Sequence, residues 1–186
     1  MKHVKKAART RLMTGGAIVA LGLAGAGAYS ASAGGEDTAA APAAVTEAKS
    51  GNTATTGRLT IAAATKAAEA VLDAAEKENQ RVSVAVVDRD GNTIVTLRGD
   101  GAGPQSHESA ERKAYTAVSW NAPTSELAER LEQAPNLKDI PGTLFLGGGA
   151  PVTAGNAPVA GIGVAGAPSG DLDEKFARAG VAALER

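Results

Sequence analysis

VSVAVVDRDGNTIVTLRGDG, residues Val82 to Gly101, holds two strand-like runs, Val82–Asp88 and Thr93–Arg98, around Arg89-Asp90-Gly91-Asn92. Asp90-Gly91 is a hairpin signal, because a tight turn that matches strand twist needs residues tolerant of positive φ. In the first run Val82, Val84 and Val86 point one way and Ser83, Ala85 and Val87 the other. Both sets are nearly apolar, so this strand is expected to be covered on both faces. An exit loop at Gly99–Gln105 then leads to a helix from Ser106, which places a charged helical surface beside the hairpin.

Upstream of the hairpin, Thr60 can cap a helix in which Ile61, Ala64, Ala68, Val71, Leu72 and Ala75 share one face. Downstream, Ser106–Trp120 reads as a second helix with Ser106 as its cap and Glu108 in the first turn. Pro123 precedes a third, short helix at Thr124–Gln133, and Ala134–Gly142 reads as a loop. Leu144–Leu146, Pro151–Thr153 and Val159–Ala165 read as short strands broken by glycines, and Asp171–Glu185 as a closing helix. The fold expected is α+β, a five-stranded antiparallel sheet flanked by helices. In the last strand Gly161 and Gly163 share a face opposite Ala160, Ile162 and Val164. Such a glycine face admits the close approach of a helix, another chain or a flat ligand, and helix packing is the reading preferred.

The N-terminus reads differently. Met1–Arg11 carries five Lys/Arg and no acid, Gly15–Tyr29 is apolar and glycine-rich, and Ala31-Ser32-Ala33 is a small-residue cleavage site. Residues 1–33 are therefore expected to be a secretory signal peptide, and 34–57 a flexible tether to a domain at 58–186. No cysteine is present to carry a lipid, so no membrane anchor is expected. The whole chain has 19 basic and 20 acidic residues; removing the five leaves about −6, which argues against a nucleic-acid surface. The mature chain would retain one histidine, His107, with Trp120 and Tyr115 also single.

Gly161-Ile-Gly163-Val-Ala-Gly166 matches the dinucleotide fingerprint in letters only. Its glycines lie within a strand, and no second strand follows to complete a βαβ unit. With one histidine and no cysteine, hydrolase triads and zinc spacings are absent. Two carboxylate pairs remain, Glu108 with Glu111 and Asp171 with Glu174. Spacing of i, i+3 puts both carboxylates of each pair on one helix face, a perch suited to a hard cation such as ferric iron. Each pair alone supplies too few ligands for tight binding. Both also have structural readings, as a helix-dipole partner and as a near capping box.

Val84-Ala-Val-Val-Asp88-Arg-Asp-Gly91-Asn92, Leu97-Arg98-Gly-Asp100-Gly101, Lys113-Ala114-Tyr-Thr116-Ala117, Gly147-Gly148-Gly149-Ala-Pro151-Val152 and Val159-Ala-Gly161-Ile-Gly163-Val164-Ala-Gly166 follow one another. In this order they resemble the GlcG/HbpS-like family over about Leu59–Arg186, and its secreted actinobacterial haem-binding members most. The resemblance implies a PAS/profilin-like fold assembled as a homo-oligomer, an octamer. It implies haem and iron as ligands outside the cell, and a membrane sensor histidine kinase of a two-component system as partner. It also matches the two acidic pairs, Glu108 with Glu111 and Asp171 with Glu174, to iron sites. Some relatives promote haem breakdown, which leaves open whether the chain is an enzyme.

Haem needs a flat apolar slot, an axial ligand and cations near its propionates. Axial candidates are Thr143 in Pro141-Gly142-Thr143, His107 and Tyr115; Arg112, Arg58 and Lys113 are candidates for the propionates. Without a clear His, Cys or Met ligand, weak and exchangeable haem binding is expected. That suits an extracellular haem/redox sensor or scavenger. The alternatives are a haem-degrading protein and a structural oligomeric module without ligand.

Overall fold

The computed structural model describes residues 48–185. The signal-peptide reading and the tether up to residue 47 lie outside the described residues. Residues 48–60 are largely exposed and hold one short 3-10 turn at Ser50–Asn52.

The first helix, α1, spans Ile61–Lys77 and starts where expected, with the Thr60 hydroxyl accepting the Ala63 amide. It buries Ala64, Ala67, Ala68, Val71 and Ala75 and stops where Asn79 turns to φ 55°. The hairpin follows as β1, Ser83–Asp88, and β2, Thr93–Arg98, paired antiparallel. Its turn is held by Asp88, whose Oδ1 accepts the amides of Asp90 and Asn92 at 2.9 Å each. Gly91 supplies the positive φ, 88°. Every residue of β1 is buried, as its apolar faces require.

The two remaining strands, β3 (Gly149–Ala154) and β4 (Ala157–Ala165), form a second hairpin, and the order is β2-β1-β4-β3, antiparallel throughout. The sheet thus has four strands where five were expected. Leu144–Leu146 is the missing one. The Leu144 amide is taken by the Thr116 hydroxyl at 2.8 Å, Phe145 turns inward against Trp120, and Leu146 is exposed, so no sheet neighbour remains. This segment belongs to a small separate core of Ala122, Leu127 and Phe145 with Trp120, Leu131 and Leu137.

The second helix, α2, spans Pro104–Trp120 and begins before Ser106. Proline at the first helical position has no amide to leave unpaired and its φ is already helical, so Gly103-Pro104 opens the helix without a hydroxyl cap. Ser106 is buried instead, its hydroxyl 2.8 Å from that of Ser83. The third helix, α3, ends earlier than expected, at Thr124–Glu129, and passes into a 3-10 turn at Arg130–Glu132. The closing helix, α4, spans Gly170–Ala183 with Ser169 as cap.

Two layers cover the sheet. Val84, Val86, Ile162 and Val164 face α1 and α4 in the main core; Ala85 and Val87 face Ala110, Ala114 and Val118 of α2. The glycines of β4 explain how α2 sits. A methyl group at Gly161 would collide with the Ala114 carbonyl, and one at Gly163 with the Ala110 carbonyl and the Ala114 amide. Gly149, paired with Gly163 on β3, would meet the Lys113 carbonyl at 2.6 Å. The bare face is occupied by a helix, as preferred from the sequence.

Candidate functional site

Because the inner face of α2 rests on backbone, its outer face is left to solvent. His107, Glu111 and Tyr115 recur at four-residue spacing there, with Glu108 and Arg112 beside them. The Glu111 carboxylate accepts the Thr96 hydroxyl of β2 at 3.1 Å, and His107 Nε2 lies 3.9 Å from it. Arg112 lies 3.7 Å from Glu108, which is 77% exposed. This strip leads into an open hollow of about 170 Å³ lined by Val87, Gly91, Thr93, Glu111, Arg112, Tyr115 and Gly142.

Tyr115 forms the floor. A Cβ at Gly91 would fall 2.8 Å from its ring, and one at Gly142 3.7 Å from the ring's other edge. Both glycines have positive φ, 88° and 80°, so the hairpin tip and the Pro141-Gly142 turn flank the ring without side chains of their own. The phenol hydroxyl makes no hydrogen bond to another described residue. Thr143 stands behind Gly142, 3% exposed, its hydroxyl donating to the Ile140 carbonyl at 2.7 Å.

The structure therefore gathers Glu111, Arg112 and Tyr115 with Gly142, and leaves Thr143 outside the lining and His107 and Glu108 one turn away along the same helix. Two of the propionate candidates are already engaged. Lys113 is buried, 2.8 Å from Asp173 and 3.0 Å from the Val164 carbonyl. Arg58 pairs instead with Asp88, at 3.4 Å, and with Asp90. Burial pushes the Asp88 carboxyl up, but hydrogen bonds from Asn92 and the Asp90 amide, and then the Arg58 charge, outweigh it and hold the group below its usual range.

The second acidic pair lies elsewhere, at the start of α4 beside Ser125 of α3. Asp171 is exposed. Glu174 is buried and fully engaged: it accepts the Ser125 amide at 3.0 Å, the Ser125 hydroxyl at 2.9 Å and Arg178 at 2.8 Å. Burial raises its pKa, yet Arg178, both groups of Ser125 and the Gly148 amide reverse the sign and leave it lowered. Glu174 thus ties α4 to α3 rather than presenting a free carboxylate. Among the described residues no three of His, Cys, Asp and Glu converge as a metal site.

Sequence reasoning missed the partner of Lys113. Asp173, next to the singled-out Glu174, also accepts the Ala167 amide at 3.0 Å. Its burial outweighs these partners and raises its pKa. Gly148 passes through this junction with φ 127°, where a Cβ would sit 2.7 Å from the Lys113 ammonium. The glycine triplet was visible; the sixty-residue separation of the ion pair was not.

Residues 59–182 match the family model described as "Haem degrading protein HbpS-like". A crystal structure of a double mutant of Streptomyces reticuli HbpS is 73% identical, with TM-score 0.74 over 75% of this chain and 96% of that one. Another HbpS crystal structure is 74% identical, with TM-score 0.73 over 74% of this chain and 97% of the other. The crystal structure of a PduOC:heme complex is 26% identical, with TM-score 0.63 over 68% and 95%.

Proposed function

This chain belongs to the HbpS-like family, and on that premise we propose that it is a secreted haem- and iron-binding protein. It acts as an extracellular haem/redox sensor or scavenger, works as a homo-oligomer of eight copies and modulates a membrane sensor kinase. The observation that carries the haem reading is the hollow itself. It combines a phenol without a hydrogen-bond partner among the described residues, a guanidinium and two glycine-lined walls on the outer face of one helix. The haem bound to the PduOC neighbour supports the ligand class.

The donor chemistry fits. A tyrosine oxygen is an established axial ligand, and Arg112 suits a propionate. Thr143 does not line the hollow, and its hydroxyl would have to give up Ile140 to serve there. The enclosure is small. A hollow of about 170 Å³ falls below the roughly 300–1,000 Å³ of a pocket that encloses its ligand. Haem held by these residues therefore stays open to exchange, as sensing or scavenging requires. When bound, haem supplies redox and light-absorbing chemistry. The chain's part is to present Tyr115 and Arg112, with Gly91 and Gly142 leaving space above the ring.

For iron, Glu108 is exposed and Glu111, half-buried, lines the hollow and is held by Thr96 alone among the hydrogen-bond donors of the described residues, whereas Glu174 must first release Ser125 or Arg178. The two glutamates exchanged for aspartate in the 73%-identical Streptomyces protein are also three positions apart. Iron at Asp171 and Glu174 is the weaker half of the proposal. The family description favours one second reading, that bound haem is opened and its iron released.

The test is haem titration followed by the Soret band, with Tyr115→Phe, Thr143→Ala, His107→Ala and Arg112→Ala in parallel. Saturable binding weakened at least tenfold by one axial variant, and less by Arg112→Ala, is expected. Non-saturating adsorption to the unaltered protein refutes the haem reading. Loss of the Soret band with iron release at turnover would establish degradation instead.

A further inference from the structure

Thr116 follows Tyr115 on α2 but is fully buried. Its hydroxyl donates to the Arg112 carbonyl at 2.7 Å, the ordinary back-bond of a helical threonine. The same oxygen accepts the Leu144 amide at 2.8 Å, and that bond spans 28 residues. It joins α2 to the chain just past Thr143.

The other hydrogen bonds of this turn are local. The Thr143 amide and hydroxyl both donate to Ile140, at 3.3 and 2.7 Å. Among the described residues, Thr116 to Leu144 is the one hydrogen bond between α2 and Ile140–Leu144. The neighbouring apolar anchor is Phe145, packed edge-on against Trp120 with ring centroids 5.2 Å apart. Gly142 forms a wall of the hollow two residues before Leu144.

We infer that Thr116 is a positioning residue for the haem hollow: its buried hydroxyl holds the Pro141-Gly142-Thr143 turn against α2 and so fixes the hollow's width. The inference rests on the haem reading above. Thr116 would not touch haem; it acts through the backbone of Leu144. A hydroxyl is required, its shape is not, which separates this role from simple core packing.

The experiment uses the full-length protein in three forms: unaltered, Thr116→Val and Thr116→Ser. Valine keeps the volume and removes both hydrogen bonds, whereas serine keeps the oxygen. Amide hydrogen exchange at Leu144 is measured without haem, and haem affinity by Soret titration. Losing one such bond is expected to speed Leu144 exchange about tenfold and raise the haem Kd about tenfold. The Soret maximum should stay in place, because the ligand is unchanged, and Thr116→Ser should lie within about twofold of the unaltered protein. The result that overturns the inference is a Thr116→Val protein with unaltered Leu144 protection, or with faster exchange and unaltered haem affinity. Failure of the haem reading shows differently, as absence of saturable binding in the unaltered protein. If Thr116→Val does not fold, a Thr116→Ser protein with a tenfold affinity loss despite intact Leu144 protection equally overturns it, and one that retains both supports it.

Discussion

Replacing Gly163 by alanine tests whether the β4 glycines seat α2. The added methyl would lie 3.0 Å from the Ala114 Cβ and closer still to the Ala110 carbonyl and Ala114 amide. Ordinary contact begins near 3.4 Å, and the obstructing atoms are helix backbone that cannot rotate away. Overpacking costs about 1–3 kcal/mol where neighbours can yield, occasionally more. Here the upper end applies, about 3 kcal/mol, which for a domain of this size lowers Tm by on the order of 10 °C. Because α2 must lift as a unit, its outer residues move with it, and haem affinity should fall together with stability. Gly57→Ala is the control: its methyl would meet only the Val159 Cγ1 at 3.9 Å, and a change below about 0.5 kcal/mol is expected. Thermal and urea unfolding of the three proteins decides the matter. A Gly163→Ala protein within about 1 kcal/mol of the unaltered one would show that α2 does not depend on a bare sheet face.

Three further outcomes are expected. Lys113→Met alone should cost about 3–5 kcal/mol by leaving the Asp173 charge buried and unpaired, while Lys113→Met with Asp173→Leu should recover most of that loss in urea titrations. Glu174 titrates below its usual range in the folded state, so its contribution is present above the unfolded-state pKa and lost as pH falls through the folded value. Glu174→Gln should therefore be about 1–3 kcal/mol less stable at neutral pH and converge on the unaltered protein in acid, as pH-dependent unfolding would reveal. For iron, Glu111→Gln is expected to weaken ferric binding by tenfold or more and Glu174→Gln to change it less than threefold in equilibrium dialysis. The reverse order would move the site to α4.

The hairpin was legible because its turn residues and its alternation agree, and both reflect local chemistry. The glycine face of β4 was legible for the same reason, since an empty side of a strand must be filled. Leu144–Leu146 misled because three apolar residues look alike whether they pair in a sheet or plug a small core. The Leu144 amide was already claimed by Thr116, a partner 28 residues away. Ser106 misled in a different way: a good capping residue stood two positions inside a helix that proline had already opened. Of the site, Tyr115 and Arg112 were chosen by residue type and Glu111 by its spacing from Glu108, and only the fold brought Gly91 and Gly142 around them. Lys113 was chosen by charge and proved buried, because its partner Asp173 lies in another helix.

The two sides of α2 are subject to different tolerances. Ala110, Ala114 and Ala117 are fully buried, and the sheet beneath them has no room for another carbon at Gly161 or Gly163. Opposite them, His107, Glu108, Glu111, Arg112 and Tyr115 are not fully buried by any further layer. Exchanging a side chain on that outer side leaves the frame as it was. A scaffold built this way can drift from one bound group to another by single substitutions, and relatives sharing this backbone need share neither ligand nor affinity.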